Sequence, residues 1–352
     1  MIAAPATGRK KPIPLTLLTG FLGAGKTTLL KRLLRDPAFA GTAVIVNEFG
    51  EIGLDHLLVE SAADGIIALS SGCVCCSIRG ELVEALERLL RAIDNHRIGD
   101  VRRVVIETTG LAEPGPILRV LVTHPYLRLR FAFDGVVTVV DALHGLKTLD
   151  AHEEAVKQAA VADRIVMTKT DIAGADSSAL RARLAALNPL AEIIDARDGT
   201  IADALTGIGA ADAAAYGFSA EAASHEHAPV GSLSLAREAG MTEGALAAFL
   251  ERLGTEFGDR LLRVKGLIGI SGEEKPAVIH GVQGVYSPVL RLGGWPDADH
   301  RSRLVVIGRD LDRGRIERLF DGFLNEAKPD TPDRVALTDN PLAIAGFSFG
   351  KR

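Results

Sequence analysis

The sequence has few cysteines, no excess of basic residues and no long apolar run. Its only cysteines are Cys73, Cys75 and Cys76, and thiols this close together cannot form the disulfide framework of a small secreted protein. Lys and Arg number 40 against 45 Asp and Glu, a formal net charge of −5. This balance argues against nucleic-acid binding through a strongly basic surface. No apolar run is long enough to span a bilayer, which argues against a membrane protein.

The first residues also do not read as a signal peptide. They read MIAAPATGRKKPIP, in which the basic residues are not followed by the apolar stretch of a signal peptide. The chain has 352 residues, of which 47% are hydrophobic, enough for two domains with sizeable cores. We therefore predict a soluble, cytoplasmic protein of two domains that binds neither nucleic acid nor membrane.

Apolar strands alternate with amphipathic helices over the first 200 residues. Near-continuous apolar strands that alternate with helices predict an α/β fold, with a mostly parallel sheet covered by helices on both faces. The predicted strands are 13–19, 42–47, 101–107, 134–141, 164–168 and 191–195, and the predicted helices are 27–36, 80–95, 150–161 and 176–187.

This alternation ends near residue 206, which divides the chain. We predict a flexible arm (1–12), a first domain (13–206), an Ala/Gly/Ser-rich linker (207–229), a second domain (230–326) and a loose tail (327–352). Strands in succession with two helices predict a small α+β second domain. Its predicted strands are 231–236, 261–270, 276–283, 285–291 and 302–308, and its helices start near Thr242 and cover 312–324.

Residues 20–27 form a phosphate-binding motif. They read G-F-L-G-A-G-K-T, which fits G-x-x-x-x-G-K-(S/T) between an apolar strand and a helix. The glycines let backbone N–H groups turn toward an anion, and the helix N-terminus adds partial positive charge. Lys26 is predicted to reach the β- and γ-phosphates, and Thr27 to offer its hydroxyl to Mg²⁺.

Two further segments are expected near the γ-phosphate. In VVIETTG, Glu107 ends an apolar strand and is predicted to hold Mg²⁺ through a water, while Gly110 allows close approach to the phosphate. Asn47-Glu48-Phe49-Gly50-Glu51 follows the second strand, where a γ-phosphate sensor would lie. Glu48 and Glu51 are candidates for Mg²⁺, for a second metal or for solvent exposure. The residue that orients the attacking water is left open among Glu48, Glu51 and Glu107.

The segment Thr168-Lys169-Thr170-Asp171 predicts which base is bound. The Asp171 carboxylate can accept two hydrogen bonds from the ring N–H and amino group of guanine, a donor pair that adenine lacks. The Lys169 stem can pack on the face of the base. The segment resembles the N-K-x-D element of GTPases with Thr168 in place of Asn, which keeps a hydroxyl but loses the paired amide donor and acceptor.

The three cysteines lie within the segment SGCVCCS. Thiolates are soft ligands that suit Zn²⁺, Cu(I) or similar ions, and in extended backbone Cys73 and Cys75 project to the same side. The chain has no fourth cysteine, so an ion here needs an outside ligand. An open site of this kind suits the transfer of a metal better than a structural role. The alternatives are small buried residues in a loop or a redox sensor.

Taken in order, GFLGAGKTT, NEFGE, SGCVCC, VVIETTG and TKTD resemble the motifs of CobW-like GTPases. These are P-loop proteins related to the GTPases that insert metal into urease and hydrogenase. RLLRVKGLIGI, GVQGVY and RSRLVVIG look like the CobW C-terminal domain, so the resemblance covers roughly residues 13–325. The C-x-C-C motif is most similar to the zinc-chaperone branch.

The resemblance implies GTP hydrolysis coupled to transfer of zinc, or else cobalt or nickel, to a client metalloprotein. Because relatives often pair around nucleotide, the resemblance also allows a homodimer. The sequence departs from its relatives at two places, and both departures argue against metal binding beyond the cysteine motif. Val46 stands where some relatives have Glu before N-E-F-G, and only His225 and His227 remain of a His-rich stretch. The site residues carried over from the resemblance are Gly20, Gly23, Ala24, Gly25, Lys26, Thr27 and Thr28 for phosphate and Mg²⁺, Thr168, Lys169 and Asp171 for guanine, and Cys73, Cys75 and Cys76 for metal. Gly110 for the γ-phosphate and Glu51 for metal are predicted from the motifs themselves.

Three functions compete on the sequence. The first is the GTPase metallochaperone, with a cobalt-handling protein of cobalamin synthesis as its variant. The second is a GTP-controlled interaction switch whose cysteines bind no metal. The third is a small-molecule kinase, which is disfavoured because the sequence shows neither a basic lid segment nor an acceptor motif.

Overall fold

The computed structural model describes residues 11–47, 78–172, 177–198, 205, 206, 208 and 230–324. Within them the chain forms two six-stranded sheets, the first in the order β2-β3-β1-β4-β5-β6 and wholly parallel. Its strands are β1 (Ile13–Gly20), β2 (Thr42–Asn47), β3 (Arg103–Thr108), β4 (Phe131–Asp141), β5 (Arg164–Thr168) and β6 (Glu192–Asp195). The predicted parallel sheet is confirmed.

Helices connect these strands. They are α1 (Lys26–Leu33), α2 (Ile78–Asp94), α3 (Pro114–Thr123), α4 (Leu127–Arg130), α5 (Gly145–Ala151), α6 (Glu153–Ala160) and α7 (Ser178–Leu187). Helix α3 was not predicted. It starts with Pro114 in its first turn, where the missing N–H of proline is tolerated. The predicted helix 150–161 is two helices, because His152 adopts an extended conformation between α5 and α6.

The second sheet is antiparallel and has the order β10-β9-β8-β12-β7, with β11 paired to β9. Its strands are β7 (Val230–Arg237), β8 (Leu261–Ile268), β9 (Ala277–Val282), β10 (Val285–Tyr286), β11 (Leu290–Arg291) and β12 (Ser302–Arg309), and α8 (Glu243–Phe257) and α9 (Arg313–Leu324) pack on it. The predicted strand 285–291 is interrupted around Pro288, which has no N–H for a ladder hydrogen bond.

The two sheets share buried surface. One apolar cluster extends from β1, β3 and β4 to Leu262, Val305 and Ile307 of the second sheet. Asp163, which follows α6, contacts Arg263 and lies 3.0 Å from Lys265 Nζ, and all three side chains are buried. Apolar packing and buried charge pairs therefore both join the sheets.

Much of the predicted arm, linker and tail lies outside the described residues. Of the helices that are described, none is both long enough and apolar enough to cross a bilayer.

Candidate nucleotide-binding site

The loop between β1 and α1 has the backbone that the phosphate motif requires. Gly20, Gly23 and Gly25 have φ angles of 143°, 70° and 94°, values in the range that side chains disfavour. A Cβ on Gly20 would lie 2.3 Å from the carbonyl oxygen of Val139 on the neighbouring strand. The glycines thus let the loop turn closely around the end of the sheet and enter α1 at Lys26.

Lys26 is held by this loop. Its Nζ donates to the carbonyl oxygens of Gly20 at 2.8 Å and Phe21 at 3.2 Å. The side chain is 8% exposed, so its ammonium group lies inside the loop rather than in solvent. This places a fixed positive charge among the backbone groups predicted to surround phosphate.

Thr27 and Glu107 meet beside the loop. The Thr27 hydroxyl donates to Glu107 Oε1 at 2.6 Å. Glu107 is near the end of β3, which pairs with β1, so two adjacent strands bring the residues together. A hydroxyl next to a carboxylate is an oxygen ligand set that Mg²⁺ accepts. The pair therefore fits the ion predicted from the sequence.

Gly110 packs directly on the phosphate loop. A Cβ at this position would lie 2.5 Å from the backbone nitrogen of Leu22, so only glycine fits without displacing the loop. The chain then turns, with the Ala112 N–H donating to the Thr109 carbonyl at 3.2 Å. The structure thus brings the VVIETTG segment against the P-loop.

The segment 168–171 lies on the other side of the loop. Thr168 Oγ1 donates to the Ala24 carbonyl at 2.6 Å, so the hydroxyl that replaces an Asn joins this segment to the P-loop. Lys169 has a left-handed backbone (φ 56°) and pairs with Asp141 at 2.7 Å. Asp171 is exposed in the following turn, as a residue that contacts an incoming base must be.

Sequence reasoning missed two carboxylates at this edge. Asp141 ends β4 and pairs with Lys169, and Asp195 ends β6 and accepts from the Thr170 hydroxyl at 2.9 Å. Burial alone would raise the pKa of Asp195. Hydrogen bonds from the Arg197 side chain, the Arg197 N–H and Thr170 outweigh burial and hold that pKa below its ordinary value. Asp141 and Asp195 each end a predicted strand of one parallel sheet, and that position could have identified both carboxylates from the sequence.

Two cavities border these groups. Among the described residues, one of about 240 Å³ is lined by the loop residues 21–24, Asp141 and Lys169. Another of about 580 Å³ is lined by Thr27, Glu107 and side chains of α1 and β2. The loop therefore has open volume next to both the Lys169–Asp141 pair and the Thr27–Glu107 pair.

Several predicted site residues lie outside the described residues. They are Glu48, Glu51, Cys73, Cys75, Cys76, His225 and His227. Within the described ranges, no three His, Cys, Asp or Glu side chains come together as a metal site. The predicted metal site remains a prediction.

A glycine-rich loop between β1 and α1, with a buried lysine and a Thr–Glu pair, defines a P-loop nucleotide-binding protein. Residues 14–195 match the family described as CobW/HypB/UreG, nucleotide-binding domain. Residues 230–324 match the cobalamin synthesis protein CobW C-terminal domain. The chain belongs to this CobW family, as the sequence motifs predicted.

Named relatives support the same assignment. The zinc chaperone YjiA of Escherichia coli is 37% identical, with 89% of this chain and 99% of the relative aligned. The zinc chaperone CobW of Pseudomonas aeruginosa is 32% identical over 86% of this chain and 89% of the relative. The crystal structure of Zn(II)-bound YjiA GTPase from E. coli has a TM-score of 0.69 at 33% identity, covering 90% of this chain and 99% of that one.

Proposed function

We propose that the protein is a GTPase that binds zinc at its C-x-C-C motif and delivers it to a client metalloprotein as GTP is hydrolysed. The observation that carries the GTPase part is the P-loop, in which Lys26 is buried against the loop and Thr27 contacts Glu107. The relatives are a zinc chaperone and a GTPase by name, which supports the metal and the nucleotide.

In this proposal each P-loop residue acts on the phosphates of GTP. Lys26 exchanges the loop carbonyls for phosphate oxygens and stabilises the charge that develops on the transferring phosphoryl group. Thr27 and Glu107 would hold Mg²⁺, directly or through water, and an ion there would supply positive charge against the phosphate oxygens. Thr28 and the N–H groups of the loop, including that of Ala24, complete the phosphate site. Glu48, Glu51 and Glu107 stay candidates for orienting the attacking water.

Guanine is read at the opposite end of the site. Asp171 accepts the two guanine donors, while Lys169, fixed by Asp141, packs its stem on the base. Thr168 holds this segment at the P-loop. The segment 168–171 therefore both selects the base and attaches to the phosphate loop.

The metal is cargo, held by Cys73, Cys75 and Cys76 with Glu51 or an outside group as a further ligand. Zinc is favoured over cobalt and nickel because relatives are named zinc chaperones. Three thiolates without a fourth cysteine give an open site, from which a client can take the ion. Because thiolates must lose their protons to bind, zinc affinity falls as pH falls.

Two measurements test the two halves of this proposal. Lys26→Ala should remove most GTP hydrolysis in a folded protein, whereas Lys31→Ala, an exposed lysine on the same helix, should leave it intact. Turnover near that of the wild type in Lys26→Ala would overturn the site assignment.

The second measurement titrates zinc into GTP-bound and GDP-bound protein against a competing chelator. Coupling is reciprocal and typically about 1–3 kcal/mol, a factor of roughly 5–150 in affinity. The double variant Cys75→Ser/Cys76→Ser should lose zinc and keep GTP. Equal zinc affinities in the two nucleotide states would leave the alternative, a GTP-controlled interaction switch without metal transfer.

A further inference from the structure

Gln158 is a buried residue of α6 beside the P-loop. Its side chain is 1% exposed, and its backbone carbonyl accepts a hydrogen bond from Thr138 Oγ1 on β4 at 2.7 Å. With the loop residues 21–24 it lines the cavity of about 240 Å³. A long amide is thus fixed to the sheet at the edge that carries the nucleotide site, although none of the motifs includes it.

The amide of Gln158 holds the loop that follows β3. Its Nε2 donates to the carbonyl oxygens of Gly110 at 3.0 Å and Ala112 at 3.1 Å. Both partners can only accept, so the nitrogen must face them and each of its two N–H groups has its own carbonyl. The neighbouring Lys157 adds an ion pair to Glu113 at the start of α3.

These contacts fix the backbone at the residue expected to meet the γ-phosphate. A trans peptide is planar with its C=O and N–H opposed, so the carbonyl of Gly110 aimed at Gln158 turns the Leu111 N–H away from it. Gly110 lies against the backbone of Leu22 in the P-loop, so a small rotation of this peptide would move it relative to the phosphate loop.

We propose that Gln158 is a positioning residue for GTP hydrolysis: it sets the orientation of the Gly110–Ala112 backbone and thereby the response of this loop to the γ-phosphate. The inference rests on the proposed GTPase function and deepens it. Gln158 does not contact the substrate in this proposal. It acts through Gly110, so its removal affects the γ-phosphate and spares the contacts to base and to α- and β-phosphates.

The test is Gln158→Met, which keeps the length of the side chain and removes both donors. We expect unchanged GDP affinity, loss of the preference for a non-hydrolysable GTP analogue over GDP, and a kcat lowered by roughly tenfold or more, since misplaced groups can lose about a hundredfold in rate.

Asn188 provides a matched control for the loss of a buried amide. It is fully buried, and its Nδ2 donates to the carbonyls of Ala159, Ala160 and Ala162, which follow Gln158 at and just beyond the C-terminal end of the same helix. Asn188→Leu should lower thermal stability yet keep both kcat and the GTP-analogue preference. The inference is overturned if Gln158→Met keeps the wild-type kcat and the preference for the GTP analogue. It is also overturned if Asn188→Leu loses kcat and that preference to the same degree as Gln158→Met.

A measurement on the wild-type protein covers the case in which Gln158→Met does not fold. The side-chain amide signals of Gln158 in ¹⁵N-labelled protein should shift between the GDP and GTP-analogue complexes, and identical signals would overturn the inference. A wild type that hydrolyses no GTP would refute the proposed function, whereas an active wild type with an unaffected Gln158→Met refutes only the role of Gln158.

Discussion

The hydroxyl of Thr168 donates to the backbone carbonyl of Ala24 at 2.6 Å, which joins the segment expected to read the base directly to the P-loop. A second acceptor, the carbonyl of Val140, lies 3.4 Å from the same hydroxyl. One buried side chain of β5 therefore touches both the phosphate loop and the neighbouring strand β4. Thr at this position of the N-K-x-D pattern thus makes the connection with its hydroxyl.

Removal of the Thr168 hydroxyl should weaken GTP binding. Thr168→Val keeps the shape of the side chain but removes the hydrogen bond that holds this segment at the P-loop, so part of the binding free energy of GTP must then be spent on ordering the segment. Isothermal titration with GTP measures the effect. Thr255→Val is the matched control, because the Thr255 hydroxyl also donates to a carbonyl, that of Glu251, on an exposed part of α8. Equal GTP affinity in both variants would contradict the link.

Replacement of Asp171 should change the base that is bound. Asp171→Asn removes the carboxylate that accepts from both guanine donors, and a donor of the bound base left unpaired costs about 1–3 kcal/mol. The variant should lose GTP and gain relative affinity for xanthosine triphosphate, whose base has a carbonyl in place of the amino group. Competition binding with both nucleotides measures the change. If GTP affinity stays at the wild-type value, another residue reads the base.

The first sheet and its loop followed from local sequence. Apolar strands alternate with helices, and the P-loop motif falls between β1 and α1, so periodicity and spacing predicted both. The contacts of Gln158 with Gly110 and of Arg263 with Asp163 did not follow, because they join residues 48 and 100 positions apart. Such pairs depend on how helices and sheets pack. Helix α3 was missed because its ten residues include two prolines.

Loss of the charge on Asp163 should destabilise the fold. Asp163 contacts Nη2 of Arg263, and Nη1 of the same guanidinium donates to the Val161 carbonyl at 2.8 Å. Both side chains are buried. Asp163→Asn would leave the Arg263 guanidinium buried against a neutral amide, and removal of one partner of a buried pair costs about 3–5 kcal/mol.

Urea denaturation measures this loss. Glu84→Gln breaks the exposed pair with Arg88 on α2 and should leave the midpoint nearly unchanged, because exposed ion pairs contribute little. An Asp163→Asn midpoint as high as that of Glu84→Gln would show that the buried pair does not stabilise the contact between the sheets.

Stability should also fall in mild acid because of His280 on β9. Burial, helped by the nearby positive charges of Arg263 and Lys265 and opposed by Asp163, lowers the pKa of His280 from 6.5 to about 3. Between these values the unfolded chain binds a proton that the folded protein does not. The free energy of unfolding should therefore decrease as pH falls from 6.5 toward 3, by at most about 1.4 kcal/mol per pH unit from this residue.

Substitution of the imidazole isolates this contribution from that of Asp163. Burial would raise the pKa of Asp163, but Arg263, Lys265 and His280 outweigh burial and lower it below 3.8, so its loss of stability begins only below about pH 4. Denaturation at pH 7.5 and pH 5 thus reports His280. In His280→Phe the wild-type decrease over this interval should shrink. Phe133→Leu, which changes the ring 6.3 Å from His280 but keeps the imidazole, should retain it. An undiminished decrease in His280→Phe would mean that another group takes up the proton.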